Sequence, residues 1–237
     1  MNTSDSMVEI TVSGIRMSAF LSQPMEKGPF PAVVVIQEAF GLNNHIKNVA
    51  KRFAAEGYVG LAPDFYARQG GKVVPYSDLD AAIKLMNGIK DDLFLKDFNA
   101  AMSFLKGKDF VKADRIGVVG FCMGESLSFL AACSNKDIRA AVVFYGGRIG
   151  NFIDRIPGVR YPMLGNFGET DTSPSPEVVN KVSKELSKHG KTHDFKIYPK
   201  AGYGFFCEER ASYNADAAKD AWRRTLGSTK RISRNKG

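Results

Sequence analysis

The sequence is poor in cysteine, histidine and tryptophan, and it has no long hydrophobic run. Its three cysteines, Cys122, Cys133 and Cys207, are odd in number and form no CxxC pair, which argues against a disulfide framework and for free thiols in a reducing compartment. The three histidines, His45, His189 and His193, stand at no metal-ligand spacing, so neither a metal nor another cofactor is expected. The longest apolar runs, 32–36 and 140–145, fall far short of the ~20 residues that cross a bilayer, and no transmembrane helix is expected. Residues 1–7 are polar and lack the charged-then-apolar order of a secretory signal, so the expected location is cytoplasmic. Repeats, low-complexity stretches and linkers are absent too.

What is present is the composition of an ordinary globular protein: 44% hydrophobic and 24% charged residues in a chain of 237. That length suits one domain with a substantial core. The net charge of +8 suggests an anionic partner at first sight, but residues 212–237 alone hold seven Lys/Arg against two Asp, a balance of +5. A solvated basic C-terminus accounts for most of the excess. Without interleaved aromatics it gives no reason to expect a nucleic-acid or membrane partner. A monomer or homodimer is expected.

Short β-rich runs alternate with helical patterns, the signature of a mostly parallel sheet covered by helices. Segments 8–12 and 17–21, with Gly14 between them, read as an antiparallel pair, and 32–37 as a strand buried on both faces. Helical spacing appears over 43–56, 78–90, 91–106, 123–133, from Pro174 or Pro176 to 188, and over 211–226. Further strands are expected at 58–62, 115–120, 139–145, 161–167 and 193–198. The fold class is therefore α/β, an αβα sandwich with a mostly parallel sheet. A single domain over 1–227 and a basic tail over 228–237 are expected.

The run Gly120-Phe-Cys-Met-Gly124 carries the chemistry, because it lies where a strand gives way to a helix. A nucleophile there sits on a sharp turn that side chains at the flanking glycines would obstruct. The helix N-terminus favours a thiolate. The plain alternative is a small buried cysteine beside packing glycines. Cys133 and Cys207 lack such a setting and read as inert.

From 32 to 226 the chain resembles the dienelactone hydrolase family (carboxymethylenebutenolidases) of the α/β-hydrolase superfamily. The segments that carry the likeness are Gln37-Glu-Ala-Phe-Gly-Leu-Asn43, Gly57-Tyr58, Ala62-Pro-Asp-Phe-Tyr-Ala-Arg68, Gly120-Phe-Cys-Met-Gly124, Ala201-Gly-Tyr-Gly-Phe205 and Ala221-Trp222. The resemblance implies a Cys-His-Asp triad that opens a small ester or lactone through a thioester. It makes Cys122 the nucleophile, Asp171 the acid, and Glu38 the carboxylate that takes the thiol proton. The backbone N–H groups of Ala39 and Met123 become the oxyanion hole, where each donor contributes ~3 kcal/mol. Without the resemblance, Asp171 reads equally well as a turn or cap residue before Ser173-Pro174.

The pattern breaks at three places. Tyr203 stands where the family has its histidine, and a phenol, with a reference pKa of ~10, is a poor general base near neutral pH. Glu125 replaces a usual glycine; its negative charge is expected to oppose the thiolate, and its bulk to narrow the pocket. Leu79 and Cys207 fall at the positions of the substrate-anchoring arginines, while Arg68 and Arg210 read as surface or ion-pair residues. His45 follows the Glu38 loop but reads as a first-turn helix residue. Two readings follow: an attenuated ester or lactone hydrolase in which Tyr203 orients water or substrate, or an impaired member that binds small molecules in the old pocket.

Overall fold

In the computed structural model, residues 1–233 are described, and their eight strands order as β1-β2-β4-β3-β5-β6-β7-β8. The chain divides into two compact units, residues 1–117 and the residues from Val118 onward.

The first unit opens with β1 (Thr3–Val12) and β2 (Ile15–Pro24), antiparallel and paired from Thr3 with Pro24 to Val12 with Ile15. Ser13 (φ 50°) and Gly14 (φ 77°) make the two-residue hairpin turn, whose twist requires positive φ at both positions. The sequence suggested a strand only from 8; Thr3–Met7 are mostly exposed and lack an alternating pattern, but their backbone pairs with β2 all the same. β3 (Phe30–Ile36) runs parallel to β4 (Val59–Pro63), and β2 joins β4 on its other side, antiparallel. Every residue of β4, and of β3 from Pro31 on, is buried, as a strand covered on both faces must be.

Helix α1 (Asn44–Ala55) is capped by the Asn43 side chain, which accepts from the Ile46 N–H at 3.1 Å. It lies close against β4, because a Cβ on Gly60 would stand 2.4 Å from the Ala50 carbonyl. Helices α2 (Leu79–Asn87) and α3 (Asp91–Lys106) complete the unit. Arg68 and Asp97 form a two-pronged ion pair at 2.7 and 2.8 Å, so Arg68 is the structural residue the sequence suggested.

β5 (Val111–Phe121) leads into the second unit, where β6 (Ile138–Phe144), β7 (Met163–Gly168) and β8 (His193–Tyr198) are successive parallel neighbours. α4 (Met123–Ser134) follows β5, α5 (Pro176–Lys188) follows β7 and α6 (Ala215–Ser233) follows β8. A 3-10 segment, Ile149–Gly158, was not foreseen. α6 also runs past the expected end at 226, so residues 228–233 of the expected tail are helical and 234–237 lie outside the described residues. No helix among the described residues is long and apolar enough to cross a membrane.

Candidate active site

The backbone of the elbow explains its glycine. Cys122 sits between β5 and α4 with φ 57° and ψ −118°, a conformation a non-glycine residue holds only when its surroundings impose it. A Cβ on Gly120 would lie 1.9 Å from the Gly124 carbonyl oxygen and 2.2 Å from Ser128 Oγ. The turn is locked on the other side by the Cys122 N–H, which donates to the Phe144 carbonyl at 3.0 Å. Beneath it lies an aromatic floor: Phe121 stacks on Phe144 at 4.7 Å and on Phe206 at 5.4 Å. The elbow is thus held by main-chain bonds and close packing, and Cys122 is 6% exposed.

Tyr203 meets this thiol. It stands on the loop after β8, and its hydroxyl donates to Cys122 Sγ at 2.6 Å. Its ring lies 5.6 Å from that of Tyr145, and the Arg210 guanidinium sits 5.5 Å from its centroid, a cation–π contact. Arg210, expected as a surface or ion-pair residue, is therefore also a neighbour of Tyr203. Tyr145, at φ 37°, and the Gly146-Gly147 pair behind it were missed; a glycine pair directly after a strand was the available signal.

Asp171 does not join them. Its Oδ2 accepts from the Gly168 N–H at 2.9 Å, and its own N–H reaches back to the Gly168 carbonyl at 3.4 Å, so the residue closes a turn after β7. Its Oδ1 is buried without a hydrogen-bond partner among the described residues. Burial raises the carboxyl to about 6, while the Gly168 N–H pulls it the other way. A histidine can bond a carboxylate through one ring nitrogen and a thiol through the other, whereas a phenol has a single proton, here directed to the sulfur.

Glu125 follows Gly124 on α4. It is fully buried in the first turn of α4, and burial pushes its carboxyl well above the usual range although the Ser126 hydroxyl, donating at 2.8 Å, opposes the shift. Burial thus favours the neutral carboxyl and, to that extent, weakens the electrostatic opposition expected from its charge. Ser126 Oγ also accepts from the Arg148 N–H at 3.0 Å, tying the elbow to the loop after β6. The bulk of Glu125 is taken up at Gly146, where a Cβ would stand 2.3 Å from both Glu125 Cβ and Oε2.

In the first unit, Glu38 and Ala39 follow β3. Glu38 is fully buried and its Oε2 accepts from Tyr76 Oη at 3.0 Å; that hydroxyl accepts in turn from Asn43 Nδ2 at 3.0 Å. His45 is the first-turn residue of α1 that was expected; it is buried, and a ring nitrogen comes within 4.8 Å of a Glu38 carboxylate oxygen. The Ala39 carbonyl accepts from Tyr66 Oη at 2.9 Å. His193 is engaged elsewhere, bonded to Ser183 Oγ and the Lys191 carbonyl, and His189 caps the end of α5. Burial pushes the Cys133 thiol up to about 12, in keeping with the inert residue expected.

Residues 17–233 match the model of the dienelactone hydrolase family. A protein of Methylorubrum extorquens named as a carboxymethylenebutenolidase is 34% identical over 225 residues, which cover 92% of this chain and 77% of that protein. One of the same name from Synechocystis is 35% identical over 232 residues, covering 92% of this chain and 93% of the other. The crystal structure of a protein from Klebsiella pneumoniae subsp. pneumoniae, described as a dienelactone hydrolase, matches with a TM-score of 0.90 at 29% identity, covering 97% of this chain and 99% of that one.

Proposed function

Because the chain belongs to the dienelactone hydrolase family, and so is a hydrolase of the ester and lactone class, we propose that it cleaves a small carboxylic ester or lactone with Cys122 as nucleophile. The observation that carries this reading is the strained Cys122 at the head of α4 with the Tyr203 hydroxyl bonded to its sulfur. Both features favour the thiolate: the helix N-terminus through its dipole, and the hydroxyl by donating to the charged form.

The thiolate attacks the acyl carbon, and the oxyanion that forms is received by backbone N–H groups. Met123 and Ala39 are the donors by family likeness, as Glu38 is the acceptor of the proton that Cys122 gives up. Collapse of the tetrahedral intermediate expels the alcohol and leaves a thioester. Tyr203 orients the reacting groups, and Asp171 keeps the acid's place in the chain without a bond to it. Cleavage of p-nitrophenyl acetate by the purified protein, compared with Cys122→Ala, tests the proposal. Loss of ~10³-fold or more is expected for removal of a nucleophile; unchanged cleavage would reject it.

A further inference from the structure

We propose that this site holds its thioester and passes the acyl group to a small thiol in preference to water, an activity that rests on Cys122 being the nucleophile. Hydrolysis of a thioester needs a group that strips a proton from water as it attacks, and such a group contributes ~10²-fold or more. At position 203 that group is a phenol whose hydroxyl is spent as a donor to Cys122 Sγ. The acid that would orient a base there, Asp171, is turned onto the Gly168 N–H and leaves Oδ1 without a partner among the described residues. Of the two histidines of this unit, His193 is bonded to Ser183 and Lys191 and His189 lies exposed at the end of α5, while Glu38, proposed to take the Cys122 proton, accepts from Tyr76.

A thiol acceptor escapes this requirement. It is partly ionised in neutral solution and attacks as a thiolate, with no proton to remove in the transition state. An amine is less suitable, since it is almost wholly protonated there and must shed a proton during attack. The same hydroxyl that fails as a base is well placed for transfer, because it stabilises Cys122 as a leaving thiolate.

The steps balance. In the first, the Cys122 thiolate forms an S–C bond to the acyl carbon, the ester C–O bond breaks, and the alcohol leaves with the proton released when Cys122 ionised. In the second, the acceptor thiolate forms its own S–C bond, the Cys122 S–C bond breaks, and Cys122 is regenerated as the thiolate. The acceptor's proton passes to solvent, and nothing is oxidised or reduced.

The test uses the full chain with p-nitrophenyl acetate, with and without N-acetylcysteamine. Alone, the ester should give a burst of about one p-nitrophenol per chain, then a steady rate slower by ~10-fold or more, with one acetyl group on the acid-quenched protein by intact mass. The added thiol should raise the steady rate ~10-fold or more above the uncatalysed reaction and yield S-acetyl-N-acetylcysteamine. Cleavage that depends on Cys122 but shows no burst and no acetylated protein would overturn the inference and leave the nucleophile in place. A burst that the thiol cannot relieve would overturn the acceptor. If cleavage does not depend on Cys122 at all, the underlying reading fails instead.

Discussion

Two places in the second unit follow parallel strands and differ in how completely they are built. At the turn after β5, main-chain bonds, a forced glycine and an aromatic floor hold Cys122 in one conformation. At the loops after β7 and β8, Asp171 has an orphaned oxygen and Tyr203 spends its one proton on the sulfur. With Cys122 as the proposed nucleophile, its placement and its activation are separable properties. Placement belongs to the backbone and tolerates no change at Gly120, whereas activation belongs to side chains and can change without disturbing the fold.

Glycines on the two sides give the largest expected contrast. Gly120→Ala puts a Cβ 1.9 Å from a backbone oxygen that cannot withdraw, and should cost ~3 kcal/mol or more in denaturant unfolding. Gly202→Ala, in the loop before Tyr203, meets only the Thr170 hydroxyl oxygen at 3.0 Å and should cost ~1 kcal/mol or less. Equal costs at the two positions would end the claim that the elbow is the stiffer of the two.

Next in size is a double-mutant cycle on Asp171 and Tyr203. Tyr203→His should speed thioester hydrolysis ~10²-fold by returning a base that can bond both Cys122 and Asp171. Asp171→Asn should change turnover less than about 3-fold while Tyr203 is present, and ~10²-fold or more once histidine is there, because the two then act as one unit. Steady-state kinetics of all four proteins decide it. An equal loss from Asp171→Asn in both backgrounds would show that Asp171 acts through something other than residue 203.

The same division governs what was legible in the sequence. Motifs fixed by backbone geometry could be read: the elbow lies where expected, and the expected strand at 193–198 and helix at 91–106 coincide with β8 and α3. Elements defined by pairing or tertiary contact could not. Thr3–Met7 pair through their backbone with mostly exposed side chains, and α6 continues past the expected end at 226, where Thr225 and Thr229 extend the buried face begun by Ala218 and Ala221. Within the site, Cys122 came from its local motif, whereas Tyr203 and Asp171 came from the family resemblance. The charge of Glu125 came from neither, because its protonation depends on burial by residues distant in sequence, such as Gly146.

The smallest expected effect compares two acids, one on each side of the division. Burial raises both carboxyls above their unfolded values, so each keeps its proton in the folded state after the unfolded chain has lost it. By linkage, stability contributed by the neutral form is fully present below the unfolded value and falls as pH rises through the window. For Asp171 the window runs from 3.8 to about 6 and is then complete. For Glu125 it opens near 4.5 and extends to a value raised well above that. Asp171→Asn should therefore gain most of its relative stability by about pH 6 and stay level beyond it. Glu125→Gln should match the parent at pH 4 and keep gaining above the pH at which Asp171→Asn levels off, since the amide oxygen can still accept from Ser126 while the charge is gone. Chemical unfolding from pH 4 to 8 separates the two profiles. If Glu125→Gln gains nothing at pH 8, the carboxyl is solvated as an anion in the folded state, and its negative charge returns as a force against the Cys122 thiolate.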